Sequence, residues 1–167
     1  MNSQHHSMRL YSTRAQRLYL NRHERERFAQ AANHCGRSHR VMCLILLQTG
    51  CRLSEMLNLR PCDFQLDEGL VAIRSLKKRN QHHVREIIIP EQLVREAAQL
   101  LAKVSGGRVW TQSRTTAWRQ IRETMKAAGV FGAQASPKGL RHSFGVHCAF
   151  NNIPMPLAQK WMGHSDI

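Results

Sequence analysis

No stretch of this chain is apolar for long enough to cross a bilayer. Its longest apolar run, Val41 to Leu47, falls far short of the roughly 20 residues that a spanning helix needs. The N-terminus, MNSQHHSMRLYSTRAQRLYL, has neither an apolar segment nor a small-residue cleavage site, so no secretory signal is expected. CxxC spacing is absent. The five cysteines, Cys35, Cys43, Cys51, Cys62 and Cys148, are odd in number and follow no framework, which favours reduced thiols in a cytosolic protein over a disulfide scaffold. The ten histidines include the pairs His5-His6 and His82-His83, but neither pair has a third ligand at zinc-site spacing, so no metal is expected. Repeats, low-complexity stretches and internal domain boundaries are likewise missing. Acidic residues are scarce, 11 Asp+Glu against 25 Lys+Arg, for a formal charge of +14. That imbalance points to a polyanion, most naturally nucleic acid, with a solvated basic surface as the alternative.

What is present suits one soluble domain. The chain has 167 residues, 42% of them hydrophobic, enough to bury a core without staples. Residues 1–20 are polar, basic and aperiodic, and read as a flexible N-terminal arm. Residues 21–167 read as the folded domain. Asn21 with Glu24 forms a capping-box pattern ahead of a helix over about 22–34. Ser38 can cap a strongly apolar helix over about 39–48, which Gly50 breaks. A short helix over about 53–58 stops before Pro61. GLVAIRSL and HVREIIIP then read as two antiparallel strands joined by the basic connection KKRNQH. Helices follow over about 91–103, over 114–127 behind the Ser113 cap, from Ser136-Pro137 to about 150, and from the Pro154/Pro156 pair to Gly163. The expected fold class is mainly α with a small antiparallel β-sheet.

Three short patterns carry chemistry. In Thr49-Gly50-Cys51-Arg52-Leu53-Ser54-Glu55, Arg52 and Glu55 stand three apart on one helix face, so Glu55 can hold the guanidinium. In Lys138-Gly139-Leu140-Arg141-His142, two cations share the first turn of a helix, where anions are already favoured. In Trp161-Met162-Gly163-His164, a histidine follows a glycine that ends a helix. Each alone reads more readily as a surface ion pair, a solvated basic turn or a helix cap, in that order.

Together and in order, they resemble the tyrosine recombinase (phage integrase) family. That family shows T-G-x-R-x-x-E, a lysine-bearing hairpin, (H/K)-x-x-R and (L/M)-G-H. GLRHSFGVH is similar to the family's LRHTFATH and QKWMGHSDI to its QELLGHSSI. Arg141 and His164 lie 23 positions apart (164 − 141), the family's spacing. The resemblance runs from about residue 16 to the last residue. It implies the family's mainly helical catalytic domain over residues 21–167, with its C-terminal segment missing. It also implies DNA strand cleavage and rejoining at specific sites through a 3′-phosphotyrosine intermediate, with no cofactor, metal or small-molecule substrate. Arg52 and Arg141 would grip the non-bridging oxygens, supported by Glu55. Lys138 and His164 would donate to phosphate, and Lys77, with Lys78 as the alternate, would be the general acid for the leaving 5′-oxygen. The DNA contacts expected are Lys77, Lys78, Arg79, Lys138, Arg141 and His142. The partner is double-stranded DNA, with homo-oligomers on DNA through exchange of C-terminal segments, and no membrane. The setting implied is bacterial and cytoplasmic, nucleoid-associated when on DNA.

The chain departs from the family in one respect. The nucleophile should follow the Gly-His pair, past Ile167, and the only tyrosines are Tyr11 and Tyr19. The 167-residue polypeptide is therefore expected to bind DNA without cutting it. The resemblance leaves two other readings open, a catalytically inactive DNA-binding remnant and a regulatory module that docks on a full-length recombinase. The segment 77–83 is expected to be mobile without DNA.

Overall fold

The computed structural model describes residues 9–76 and 83–163. Seven α-helices and three strands follow in order: α1 Arg22–Ala32, α2 Arg37–Thr49, α3 Leu53–Leu57, β1 Phe64–Gln65, β2 Leu70–Arg74, β3 Val84–Ile88, α4 Glu91–Leu101, α5 Arg114–Ala127, α6 Pro137–Phe150 and α7 Met155–Met162. The strands form one antiparallel sheet in the order β1-β2-β3, with Val71 opposite Ile87 and Ile73 opposite Arg85. The mainly helical fold with a small sheet is as expected. The additional strand, β1, is a two-residue pairing of Phe64 with Val71 and Gln65 with Leu70.

Helix α2 lies at the centre. Val41 through Leu47 are all buried, and the helix packs against α1, α4 and α6. An apolar helix covered on several sides is what a nearly unbroken hydrophobic run demands. Its start differs from expectation. Gly36 occupies the N-cap and Ser38 lies inside the helix, where its carbonyl accepts from the buried Trp110 indole N–H at 3.0 Å. A second cluster of Phe144, Cys148, Ala158 and Met162 joins α6 to α7. It places the ends of these two helices beside each other.

The N-terminal segment also departs from the expected arm. From residue 9 to 20 it folds back on itself, with a bridge between Tyr11 and Arg17, and Leu20 is buried. Two long-range contacts explain this. Arg17 makes a two-pronged ion pair with Glu24, at 2.6 and 3.1 Å, and Glu24 also closes the expected capping box with Asn21 and accepts from Gln134 at 3.0 Å. The Leu18 carbonyl lies 3.2 Å from His142 Nδ1. A charge-assisted fork and a buried leucine outweigh the entropy of a free tail.

Candidate functional site

Three chain breaks meet at one place. Helix α2 ends at Gly50, in the left-handed region at φ +62°, and a Cβ there would lie 2.5 Å from the Phe144 ring. Helix α7 ends at Gly163, at φ +70°. Helix α6 supplies Arg141, whose guanidinium donates to the Gly50 carbonyl at 2.7 Å and the Met162 carbonyl at 2.6 Å. Carbonyls at helix C-termini lack intrahelical partners, so a cation between two such ends satisfies both. Arg141 uses two of its five N–H donors in this way, and the others have no acceptor among the described residues.

Arg52 stands two residues beyond Gly50 and caps α3. Glu55 accepts from the Arg52 backbone N–H at 2.8 Å and from its guanidinium at 3.0 Å. The helix-face reading of this pair is thus realised, with Glu55 buried and Arg52 partly exposed. On its other side Glu55 faces Arg85, a residue that sequence reasoning passed over. Arg85 donates to Glu55 at 2.6 and 3.4 Å and to the Trp161 carbonyl at 2.6 Å, and it is 2% exposed. A signal existed: strand alternation puts Arg85 in phase with the buried Ile87 and Ile89, and a cation on a core face requires an acid.

The site carries surplus positive charge. Among the described residues three arginines face one carboxylate, a net of +2 (3 − 1). The Arg141 guanidinium is pushed down to about 10, first by burial and then by the charge of Arg52. It remains a cation at neutral pH, with the Glu55 carboxylate offsetting only part of the effect of burial and of the neighbouring arginines. Burial tends to raise the Glu55 carboxyl, yet the hydrogen bond and charge of Arg85, with Arg52, hold it below its ordinary value. Burial pushes the Cys51 thiol up to about 11, which leaves it no thiolate with which to attack.

The structure brings together Arg52, Glu55 and Arg141. Lys138 sits exposed on the first turn of α6 and makes no hydrogen bond or ion pair with a described residue. His142, expected among the DNA contacts, is buried, with its Nδ1 beside the Leu18 carbonyl, and is held below its ordinary value chiefly by burial. Lys77, Lys78, Arg79 and His164 lie outside the described residues, as does the mobility expected for 77–83 apart from His83.

Acid should loosen this site, and the sign follows from the directions. His142 takes up a proton in the unfolded chain below its ordinary 6.5 but resists it when folded, so stability starts to fall there. Glu55 and Glu24 have folded values below their ordinary 4.5, so their contribution is complete above 4.5 and is lost as pH drops through the folded values. Melting temperatures from pH 7 to pH 3 should fall throughout, most steeply below 4.5. A melting temperature that rises on acidification contradicts these assignments.

The match to a family model fits this geometry. Residues 18–167 match the phage integrase family. The chain is 32% identical over 168 residues to the type 1 fimbriae regulatory protein FimE of Escherichia coli K12, covering 92% of this chain and 83% of that protein. It is 29% identical over 139 residues to the tyrosine recombinase XerA of Pyrococcus furiosus, covering 77% of this chain and 46% of XerA. Among solved structures, a XerA recombinase superposes with a TM-score of 0.77 at 25% identity, over 89% of this chain and 56% of that one. A XerH recombinase, solved bound to its difH substrate before cleavage, gives a TM-score of 0.78 at 18% identity, over 93% of this chain and 53% of that one. The chain belongs to the phage integrase family of tyrosine recombinases. It spans about half the length of the XerA relatives and most of FimE. No helix among the described residues is long and apolar enough to cross a membrane.

Proposed function

We propose that this domain grips the scissile phosphodiester of duplex DNA during site-specific strand cleavage and rejoining through a 3′-phosphotyrosine. One observation carries this reading. Arg52 and Arg141, from separate helices, are held at the same helix break with net positive charge and, among the described residues, donors without a partner. Planar, permanently protonated donors answer the charge that grows on the non-bridging oxygens in the transition state. In this reading Glu55 supports Arg52, while Lys138 and His164 add donors to the phosphate. Lys77, or Lys78 in its place, protonates the leaving 5′-oxygen, and Arg79 contacts DNA nearby. The attacking tyrosine is not among these 167 residues, and neither cofactor nor metal takes part. Oligomers form on DNA by exchange of C-terminal segments, in the bacterial cytoplasm.

Two measurements test the proposal. Duplex binding should weaken steeply with salt, each phosphate contact adding about −0.9 to the log–log slope, with little sequence preference. Arg52→Ala should make that slope shallower by about one contact, and a flat slope for the unsubstituted chain rules out DNA. The second uses a nicked suicide duplex and denaturing electrophoresis. The 167-residue polypeptide should give no covalent adduct, since positioning a nucleophile is worth about 7–11 kcal/mol and no hydrogen bond among the described residues ties Tyr11 or Tyr19 to the pocket. Fusing a relative's tyrosine-bearing segment after Ile167 should produce one. An adduct without the fusion would mean the nucleophile is misassigned, and none with it would favour a catalytically inactive DNA-binding remnant or regulatory module.

A further inference from the structure

Arg85 has no route to a substrate. Its side chain is 1% exposed, and its donors are spent on Glu55 and on the Trp161 carbonyl. It nevertheless ties together two of the elements that build the pocket. From β3 it reaches α3 through Glu55 and the end of α7 through Trp161. The next carbonyl in α7, that of Met162, is held by Arg141. Two arginines from different elements thus pin consecutive carbonyls of one helix end.

Gly163 shows how closely that end is seated. A Cβ on it would lie 3.0 Å from Arg85 Nη1, 3.1 Å from Cζ and 3.2 Å from Nε. The Cβ position of Gly163 therefore faces the guanidinium of Arg85, at φ +70°, where a side chain would be both strained and crowded. The glycine of the Met-Gly-His pattern is explained by Arg85 as much as by the helix stop.

Charge supplies the second argument. Glu55 paired with Arg52 alone would cancel it and leave Arg141 as the one uncompensated cation. With Arg85 sharing the carboxylate, the group rises from +1 to +2, and Arg52 keeps a field that an incoming anion can feel. Glu55 can then orient Arg52 without neutralising it.

We propose that Arg85 is a positioning residue of the phosphate pocket, fixing Glu55 and the end of α7 so that Arg52 and Arg141 stay aligned and positive toward the anion. This rests on the proposed phosphate-binding role of that pair. It also links the β2–β3 hairpin mechanically to the pocket, because strand β3 carries the fork.

Inorganic phosphate, titrated into the folded chain and followed at the Arg52 and Arg141 Nε–H NMR signals, tests it. The unsubstituted chain should bind, and Arg52→Ala should lose the response. Failure at this step removes the phosphate pocket itself. Given that binding, Arg85→Met should lower phosphate affinity by about tenfold or more, the scale of one charge-assisted interaction. The pair Glu55→Gln with Arg85→Met should recover most of the loss, because no carboxylate then remains to neutralise Arg52. A purely structural Arg85 would lower the melting temperature but leave the affinity of the folded chain unchanged, and that result overturns the proposal. Should Arg85→Met fail to fold, Arg85→Gln decides. Its neutral amide can still donate to an acceptor but returns the group to +1, so wild-type phosphate affinity in that variant overturns the proposal as well.

Discussion

Gly139→Ala should unfold the domain or lower its melting temperature by about six degrees or more, although alanine is the better helix former. Gly139 is the third residue of α6, and a Cβ there would sit 1.8 Å from the Gln134 carbonyl oxygen and 2.6 Å from its carbon. Helix propensity favours the substitution by about 1 kcal/mol. Steric overlap opposes it, and here the obstacle is backbone that cannot swing aside. The segment before α6 is fixed from several sides. Gln134 donates to Glu24 at 3.0 Å and to the Phe131 carbonyl at 2.9 Å, and Arg122 donates to the Ala135 carbonyl at 2.6 Å. Relieving the clash means breaking that network or displacing the helix turn that carries Lys138 and Arg141. A cost above about 3 kcal/mol is therefore expected, and at about 2–4 °C per kcal/mol for a chain of this size the shift is large. Gly36→Ala is the control, because nothing lies within 4 Å of a Cβ built there. Thermal melts in which the two variants behave alike would show that the segment before α6 yields easily.

The features legible in the sequence were those decided within a few residues. The Asn21–Glu24 box, the Ser113 and Ser136 caps and the helix stops at Gly50 and Gly163 are local hydrogen-bonding or φ requirements, and each stands where its pattern placed it. The Arg52–Glu55 pair was legible for the same reason, being three residues apart on one turn. What escaped reading depends on partners far along the chain. Residues 9–20 show no periodicity because their order comes from Glu24 and from His142, the latter 124 positions from Leu18. His142 follows Arg141 directly, so proximity in sequence suggested a shared role, while helix geometry turns it toward the N-terminal segment instead. Arg85 finds its acid 30 positions away, and alternation could show that it faces inward but not which carboxylate awaits it. Strand β1 is too short for any pattern to reveal.

Glu55→Ala should cost about 3–5 kcal/mol, the range for removing one partner of a buried ion pair and leaving the other uncompensated. The side chains of Glu55 and Arg85 are each 1% exposed, so water cannot replace the lost carboxylate. Arg85 would keep the Trp161 carbonyl alone. Arg52 would lose the acceptor for its guanidinium, and α3 the carboxylate that takes the Arg52 backbone N–H. Glu55→Gln should cost less, since its amide oxygen can still accept from one arginine, though its NH₂ then faces a second donor. The contrast is with exposed pairs. Arg95 and Glu91, one turn apart on α4, have side chains 62% and 85% exposed, and Glu91→Ala should change stability by no more than about 0.5 kcal/mol. Urea unfolding of the variants at pH 7 measures the difference, with unchanged slopes confirming that midpoints report stability. Equal losses for Glu55→Ala and Glu91→Ala would mean that the Glu55 carboxylate is hydrated in solution. The charge balance drawn for Arg52 and Arg141 would then fail with it.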